Sequence, residues 1–398
     1  MRSLLDPLRQ LTGVALAAAA MLSLVGPAQS QTKPKAPGTL SFVITTWNYA
    51  ILETRFHDEC PEGFTIGVDE IWWRGLSKAA RAKATQNGEL GDSERFIMAL
   101  QRGPNKENVC LNPTLVKDPP MFTVEGPTAY GMNLDGTTDG KATPKTCAHQ
   151  KFTGVDGTPA VDNQVYRLLG CIYGWHKYDN IQSNANINRK TTGNGIVLVE
   201  VTGVDDTRND DNVSVTFHHA IDQYALDGQG EFQPYASYRT DPTLKADGTR
   251  RYGGTVRGKI VNGELTTEPA DLNLPFYGNY TYMDEFFRDF RIRMKIAEDG
   301  ETAKGTAAGY YDVDQLVYYI GGLGVIMFPS QADCPAIYVA AHQLADGYPD
   351  PKTGECKSLS SAYNFEAVSA FTIHSPDPTL AQAKGPLDRV LTTFGIGK

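Results

Sequence analysis

Residues 290–300 read Phe290-Arg291-Ile292-Arg293-Met294-Lys295-Ile296-Ala297-Glu298-Asp299-Gly300. Apolar and basic side chains alternate, and Asp299-Gly300 then turns the chain. Alternation with period two puts one set on each face of a strand, so one face is buried and the other wet. The turn feeds a further strand that runs through Tyr311. Upstream, Thr255 to Val261 and Glu264 to Glu268 flank Asn262-Gly263, the dipeptide most typical of a two-residue hairpin. Val213, Val215 and Phe217 alternate with Ser214, Thr216 and His218, and Ile196 to Val201 is an apolar run of strand length. Residues 195–311 therefore read as antiparallel sheet, expected to be a β-sandwich.

The flanks carry helix signals. Ser77 is placed to cap a helix through Ala84, and Asp92 another to Arg102, stopped by Gly103-Pro104. Val161 to Leu169 has helical spacing. Asp312 and Gln315 form a capping-box pattern, and Asp333 precedes a helix from Pro335 to Asp346. Strands are expected at 40–50 and from Ala362 to Ile373. The fold class is mainly β with helices (α+β): an antiparallel β-sandwich core flanked by short helical, disulfide-stapled regions. The expected division is a signal peptide at 1–30, a mixed helix and loop region at 31–130, the sandwich with acidic loops at 131–311, and a C-terminal helical region with a final strand at 312–398. Residues 31–398 are expected to form one compact unit.

The 398 residues carry 37 basic and 46 acidic side chains, a net charge of -9, which argues against nucleic acid as the main partner. Thirty-nine glycines and 23 prolines favour turns and short strands over a helical bundle. The N-terminus explains where the chain goes. Arg2 and Arg9 precede an apolar run, Val14 to Val25, and Ala28-Gln29-Ser30 offers small residues before Gln31, the pattern of a secretory signal. The expected location is periplasmic or extracellular. Leu316 to Phe328, the most apolar later stretch, is broken by glycines and too short to span a bilayer.

Export makes the six cysteines legible as three disulfides among Cys60, Cys110, Cys147, Cys171, Cys334 and Cys356. Six cysteines allow fifteen pairings. The expectation is sequential, 60–110, 147–171 and 334–356, each bracketing a local unit.

Oxygen-rich loops suggest a hard cation. Asn133, Asp135, Thr137 and Asp139 recur at every second position, and Asp156, Asp162 and Asn163 follow. Calcium wants six to eight such oxygens, so Asp135, Asp139, Asp156 and Asp162 are the candidate ligands, with calcium the only cofactor expected. The same residue types also simply make turns. The second acidic run, Asp205 to Asn212, reads as a solvated loop. Of seven histidines, His218 and His219 are adjacent in a strand and point to opposite faces, His219 inward. Trp72, Trp73 and Trp175 are the candidate ligand-stacking platform, since aromatic rings suit partly wet sites. Arg291, Arg293 and Lys295 share a strand face suited to an anion. No nucleophile elbow, phosphate loop or zinc motif is present. Asp69, Glu70, Asp284 and Glu285 are carboxylates of the type a glycosidase pair needs.

Cys60-Pro-Glu-Gly-Phe64, Asp69-Glu70-Ile71-Trp72-Trp73 and Asp156-Gly157 through Val161-Asp162-Asn163-Gln164 resemble stretches of uncharacterised, predicted secreted bacterial proteins. The resemblance implies export and a β-rich body and assigns no residue a role. The expected function is an exported non-catalytic binding protein stabilised by calcium, its partner a small molecule, glycan or envelope protein. The alternatives are a secreted hydrolase acting on a glycan and a structural component of an envelope complex.

Overall fold

The computed structural model describes residues 38–54, 58–176, 181–278, 281–326 and 332–375. The expected signal at 1–30 lies outside them. In chain order the elements are β1 (Gly38–Tyr49), α1 (Val68–Gly75), α2 (Lys78–Ala84), α3 (Asp92–Leu100), β2 (Thr128–Ala129), β3 (Thr153–Gly154), α4 (Gln164–Leu169), α5 (Tyr173–His176) and α6 (Ile181–Thr192). There follow β4 (Ile196–Val204), β5 (Asp210–Ala220), β6 (Ala236–Arg239), β7 (Gly254–Val261), β8 (Glu264–Thr267), β9 (Ala270–Gly278), β10 (Thr281–Ile296) and β11 (Thr302–Asp312). The last are α7 (Val313–Ile326), α8 (Cys334–Leu344), β12 (Gly347–Pro349) and β13 (Cys356–Ile373).

The centre is a closed ring rather than two facing sheets. Neighbours run β1-β4-β5-β7-β8-β10-β11-β13, and β13 pairs back onto β1, antiparallel at every step. The expected sandwich is therefore corrected to an eight-stranded barrel, in which closure removes the sheet edges. β9 adds to β10, and β6 lies parallel on the end of β13, so the sheet as a whole is mixed. The ring also cuts across the expected regions, since β1 and β13 come from opposite ends of the chain.

Alternation fills the barrel. Phe42, Ile44, Val199, Val215, Phe217, Ile260, Leu265, Ile292, Met294 and Phe365 point inward into one buried cluster. Two bulges re-phase it. The register slips between Ile44 and Thr46, so Trp47 and Tyr49 follow Phe42 and Ile44 inside; a second slip puts both Phe287 and Phe290 inside. Gly305 faces Phe365 across β11 and β13, and a Cβ there would lie 2.2 Å from the Arg293 carbonyl oxygen. The same cluster continues into α4, α5 and α7, which close the end where β1 and β11 finish and β10 begins.

Local signals largely hold. Asn262 and Gly263 both take positive φ, 51° and 74°, in the β7–β8 turn. The Ser77 side chain accepts from the Ala80 N–H, and Asp333 from that of Ala336, as helix caps. Asp312 accepts from the Gln315 N–H, but Gln315 bonds the Phe286 N–H instead of reaching back. α3 is capped from Gly91, with Asp92 inside its first turn. The stretch Asp284–Phe287 belongs to β10.

Three disulfides form, with pairing other than expected: Cys60–Cys171, Cys110–Cys334 and Cys147–Cys356. Each joins segments far apart in sequence that packing brings together, so none staples a local unit. Non-reducing peptide mapping is expected to recover these three pairs; a Cys60–Cys110 peptide would contradict them. Replacing Cys147 and Cys356 by serine together is expected to cost about 2–4 kcal/mol in urea unfolding, the usual worth of a long-loop crosslink. Among the described residues no helix is long and apolar enough to cross a membrane.

Candidate functional site

The barrel's outer face carries a wet groove built by register. Glu264, Lys295, Lys304, Glu366 and Thr46 stand directly opposite one another on β8, β10, β11, β13 and β1. The next outward row is Thr266, Arg293, Thr306, Asn364 and Asn48. All belong to the outward set because their strand neighbours Met294, Gly305, Phe365 and Trp47 point inside. Three adjoining recesses of about 610, 660 and 340 Å³ follow these rows and share Thr46. Tyr130 and Val155 wall one side. Phe232 and the α6 residues Ser183, Asn186 and Lys190 wall the other.

Its polar groups are held in place. Thr306 Oγ1 donates to Asn364 Oδ1 at 3.2 Å, and Asn186 Nδ2 donates to Asn48 Oδ1 at 2.6 Å. The bulge frees the Trp47 N–H, which donates to Asn186 Oδ1 at 3.1 Å and ties α6 to the barrel. Arg293 pairs with Asp156 at 3.1 Å, and Lys295 donates to the Asn262 carbonyl at 2.5 Å. Lys190 lies 4.8 Å over the Phe232 ring. Lysines and amide nitrogens donate; glutamates and amide oxygens accept, at intervals of one strand.

The expected calcium ligands part company. Asp135 and Asp162 do meet, but with His149, Lys151 and Asp346. Lys151 Nζ lies 2.5 Å from Asp135 and 2.6 Å from Asp162, and His149 Nε2 lies 2.8 Å from Asp162 and 3.7 Å from Asp346. All five side chains are buried, so a lysine ammonium stands between the two carboxylates. Burial pushes His149 down, yet the hydrogen bond to Asp162 and the field of Asp346 outweigh it and hold its pKa above the ordinary value. Burial lifts Asp346 to about 6 against the attraction of His149. Asp139 is exposed on Lys141, and Asp156 sits on Arg293, so neither joins the cluster.

The tryptophan platform also divides. Trp175 is buried edge-on to Tyr49 and Tyr319, a core position without access to a ligand. Trp72 and Trp73 lie side by side on α1, with Arg81 and Arg95 over Trp73. Glu70 binds Arg74 and Arg95, and Asp69 is its neighbour on α1. Asp284 pairs with Arg251 and Tyr252 on one face of β10, while Glu285 is buried on the other. Adjacent strand residues cannot flank one glycosidic bond, so this pair is not arranged for glycoside hydrolysis. His219 is buried as expected, its Nδ1 2.7 Å from Asp241.

Arg293 and Lys295 were visible from sequence as one strand face. The Asn, Thr and Glu partners on β1, β11 and β13 were not, because only register places them alongside. Comparison with protein-family models, with curated proteins and with solved structures finds no match.

Proposed function

We propose that this chain is an exported, non-catalytic binding protein whose ligand is a glycan chain lying in the groove on the outer barrel face. The observation that carries the reading is the pair of cross-strand rows, Glu264-Lys295-Lys304-Glu366-Thr46 and Thr266-Arg293-Thr306-Asn364-Asn48. Closely spaced donors and acceptors of both charge signs match a ligand that offers hydroxyls along its length. Tyr130 and Phe232 at the margins supply the flat apolar contact that a sugar face takes. A rigid sheet holds these groups without the ordering cost a loop site would carry. Three disulfides fit an oxidising compartment and support export.

Affinity electrophoresis through gels containing neutral or acidic polysaccharides tests this. Retardation is expected in at least one gel. Lys304→Ala with Asn364→Ala removes one charged and one neutral hydrogen-bonding group, about 2 kcal/mol together, so Kd is expected to rise roughly 30-fold. If no polysaccharide slows the protein while an envelope protein co-purifies stoichiometrically, the structural-component alternative replaces this reading. If turnover of a glycan accompanies binding, the hydrolase alternative replaces it.

A further inference from the structure

Away from the groove, Glu200 of β4, His218 of β5 and His374 just beyond β13 converge on the outside of the barrel. Glu200 offers one carboxylate oxygen to His218 Nε2 at 3.1 Å and the other to His374 Nε2, also at 3.1 Å. The three donor atoms all lie within 4.8 Å of one another. We propose that Glu200, His218 and His374 bind a divalent transition-metal ion, zinc being the best match.

The ligand set suits the ion. Two imidazole nitrogens and one carboxylate are the donors of three-ligand zinc sites, which leave a fourth position for solvent. Here the opening is on the His374 side, whose side chain is 55% exposed, while Glu200 and His218 are 10% and 6% exposed. A buried carboxylate between two imidazoles supplies one negative charge, and a divalent ion would be held with net charge +1 facing water. Arg250 places a positive field at His218, which disfavours a cation there. It is exposed and donates to the Asp241 carbonyl at 3.1 Å, so solvent weakens that opposition.

The geometry is prepared rather than incidental. His218 stands opposite Leu198, so it is the diagonal neighbour of Glu200 on the same outer face. His374 is fixed from both sides. Thr372 shares a 2.6 Å hydrogen bond with Ser41, the Thr240 N–H donates to the Ile373 carbonyl at 2.9 Å, and Ser375 Oγ donates to the Thr240 carbonyl at 2.9 Å. Two clamped neighbours hold an otherwise exposed imidazole against Glu200. The other carboxylate and histidine cluster, around Asp162, has Lys151 where an ion would sit, and so is the weaker metal site.

The test is isothermal titration of zinc chloride into untagged full-length protein passed over chelating resin, with cobalt(II) as a spectroscopic probe. The expected result is one equivalent bound tightly and a visible cobalt d–d band typical of low coordination. His374→Ala is at the surface and should fold; it is expected to weaken zinc at least 100-fold and abolish the band. Glu200→Gln should do likewise, and His149→Ala should leave both unchanged. Failure of the wild-type protein to take up zinc, or equal zinc affinity in His374→Ala, overturns the proposal. Zinc lost in His149→Ala but kept in His374→Ala moves the site to the other cluster and also overturns it.

Discussion

Replacing Lys151 by methionine is expected to destabilise the protein by about 3–5 kcal/mol, the usual consequence of removing one partner from a buried ion pair. The ammonium lies 2.5 Å from Asp135 and 2.6 Å from Asp162, and the three side chains are 8%, 1% and 0% exposed. Methionine keeps much of the volume and removes the charge, so lost packing is a minor part of the effect. What remains is two carboxylates and Asp346 facing His149 alone. Burial pushes Asp135 up, but the hydrogen bonds from Lys151 and Thr137 hold its pKa below the usual carboxylate range, and the first of these disappears. The cluster also pins the 131–163 segment to β13, since Asp162 accepts from the Leu134 N–H and Asp346 from the Ser360 N–H. Urea unfolding of Lys151→Met should show the lowered midpoint. Lys151→Met with Asp135→Asn should recover a good part of the loss, because it removes the charge left unpaired. A loss under about 1 kcal/mol in the single variant would mean that water, not the lysine, compensates the aspartates.

That cluster shows where sequence reading stops. The oxygen-rich pattern at Asp135 and Asp162 did mark two residues that converge. It could not show that Lys151, eleven residues before Asp162, supplies the cation, or that Asp346 arrives from beyond α8. Strands were legible because alternation is local: 213–218, 255–268 and 290–296 all fall where periodicity and turn residues put them. Closure was not legible, because it rests on β1 meeting β13 more than 300 residues away, with Glu366 N–H donating to Thr46 Oγ1 across a separation of 320. The bulges at Thr45 and near Asp289 broke the alternation that would have revealed how much of β1 and β10 faces inward. The disulfides failed for the same reason as the closure: nearness in sequence stood in for nearness in space. Glu200, His218 and His374 carry no motif, since a site spread over two strands and the end of a third has no spacing to recognise.

Glu285→Gln is expected to stabilise the protein at alkaline pH by several kcal/mol. Glu285 lies inside the closed end of the barrel, 2% exposed, and its Oε1 has no hydrogen-bond partner among the described residues. Burial raises its pKa to about 8, against the lowering effects of a hydrogen bond with Tyr311 and the charge of Arg189. Desolvation therefore wins, and the native state holds a proton that the unfolded chain releases near its ordinary value of 4.5. A raised acid pKa fixes the sign. The stability that depends on this group is complete below about pH 4.5, falls between there and about 8, and is fully lost above. The shift corresponds to about 5 kcal/mol across that window at 1.36 kcal/mol per unit. Glutamine keeps a neutral side chain of the same shape and can donate where the protonated acid would. Wild-type and variant proteins should therefore unfold at similar temperatures near pH 5, and the variant should gain steadily from there to pH 8.5. Parallel Tm curves from pH 5 to 9 would show that Glu285 ionises freely, and that the tyrosines around it, Tyr49, Tyr311 and Tyr363, solvate the anion instead of excluding it.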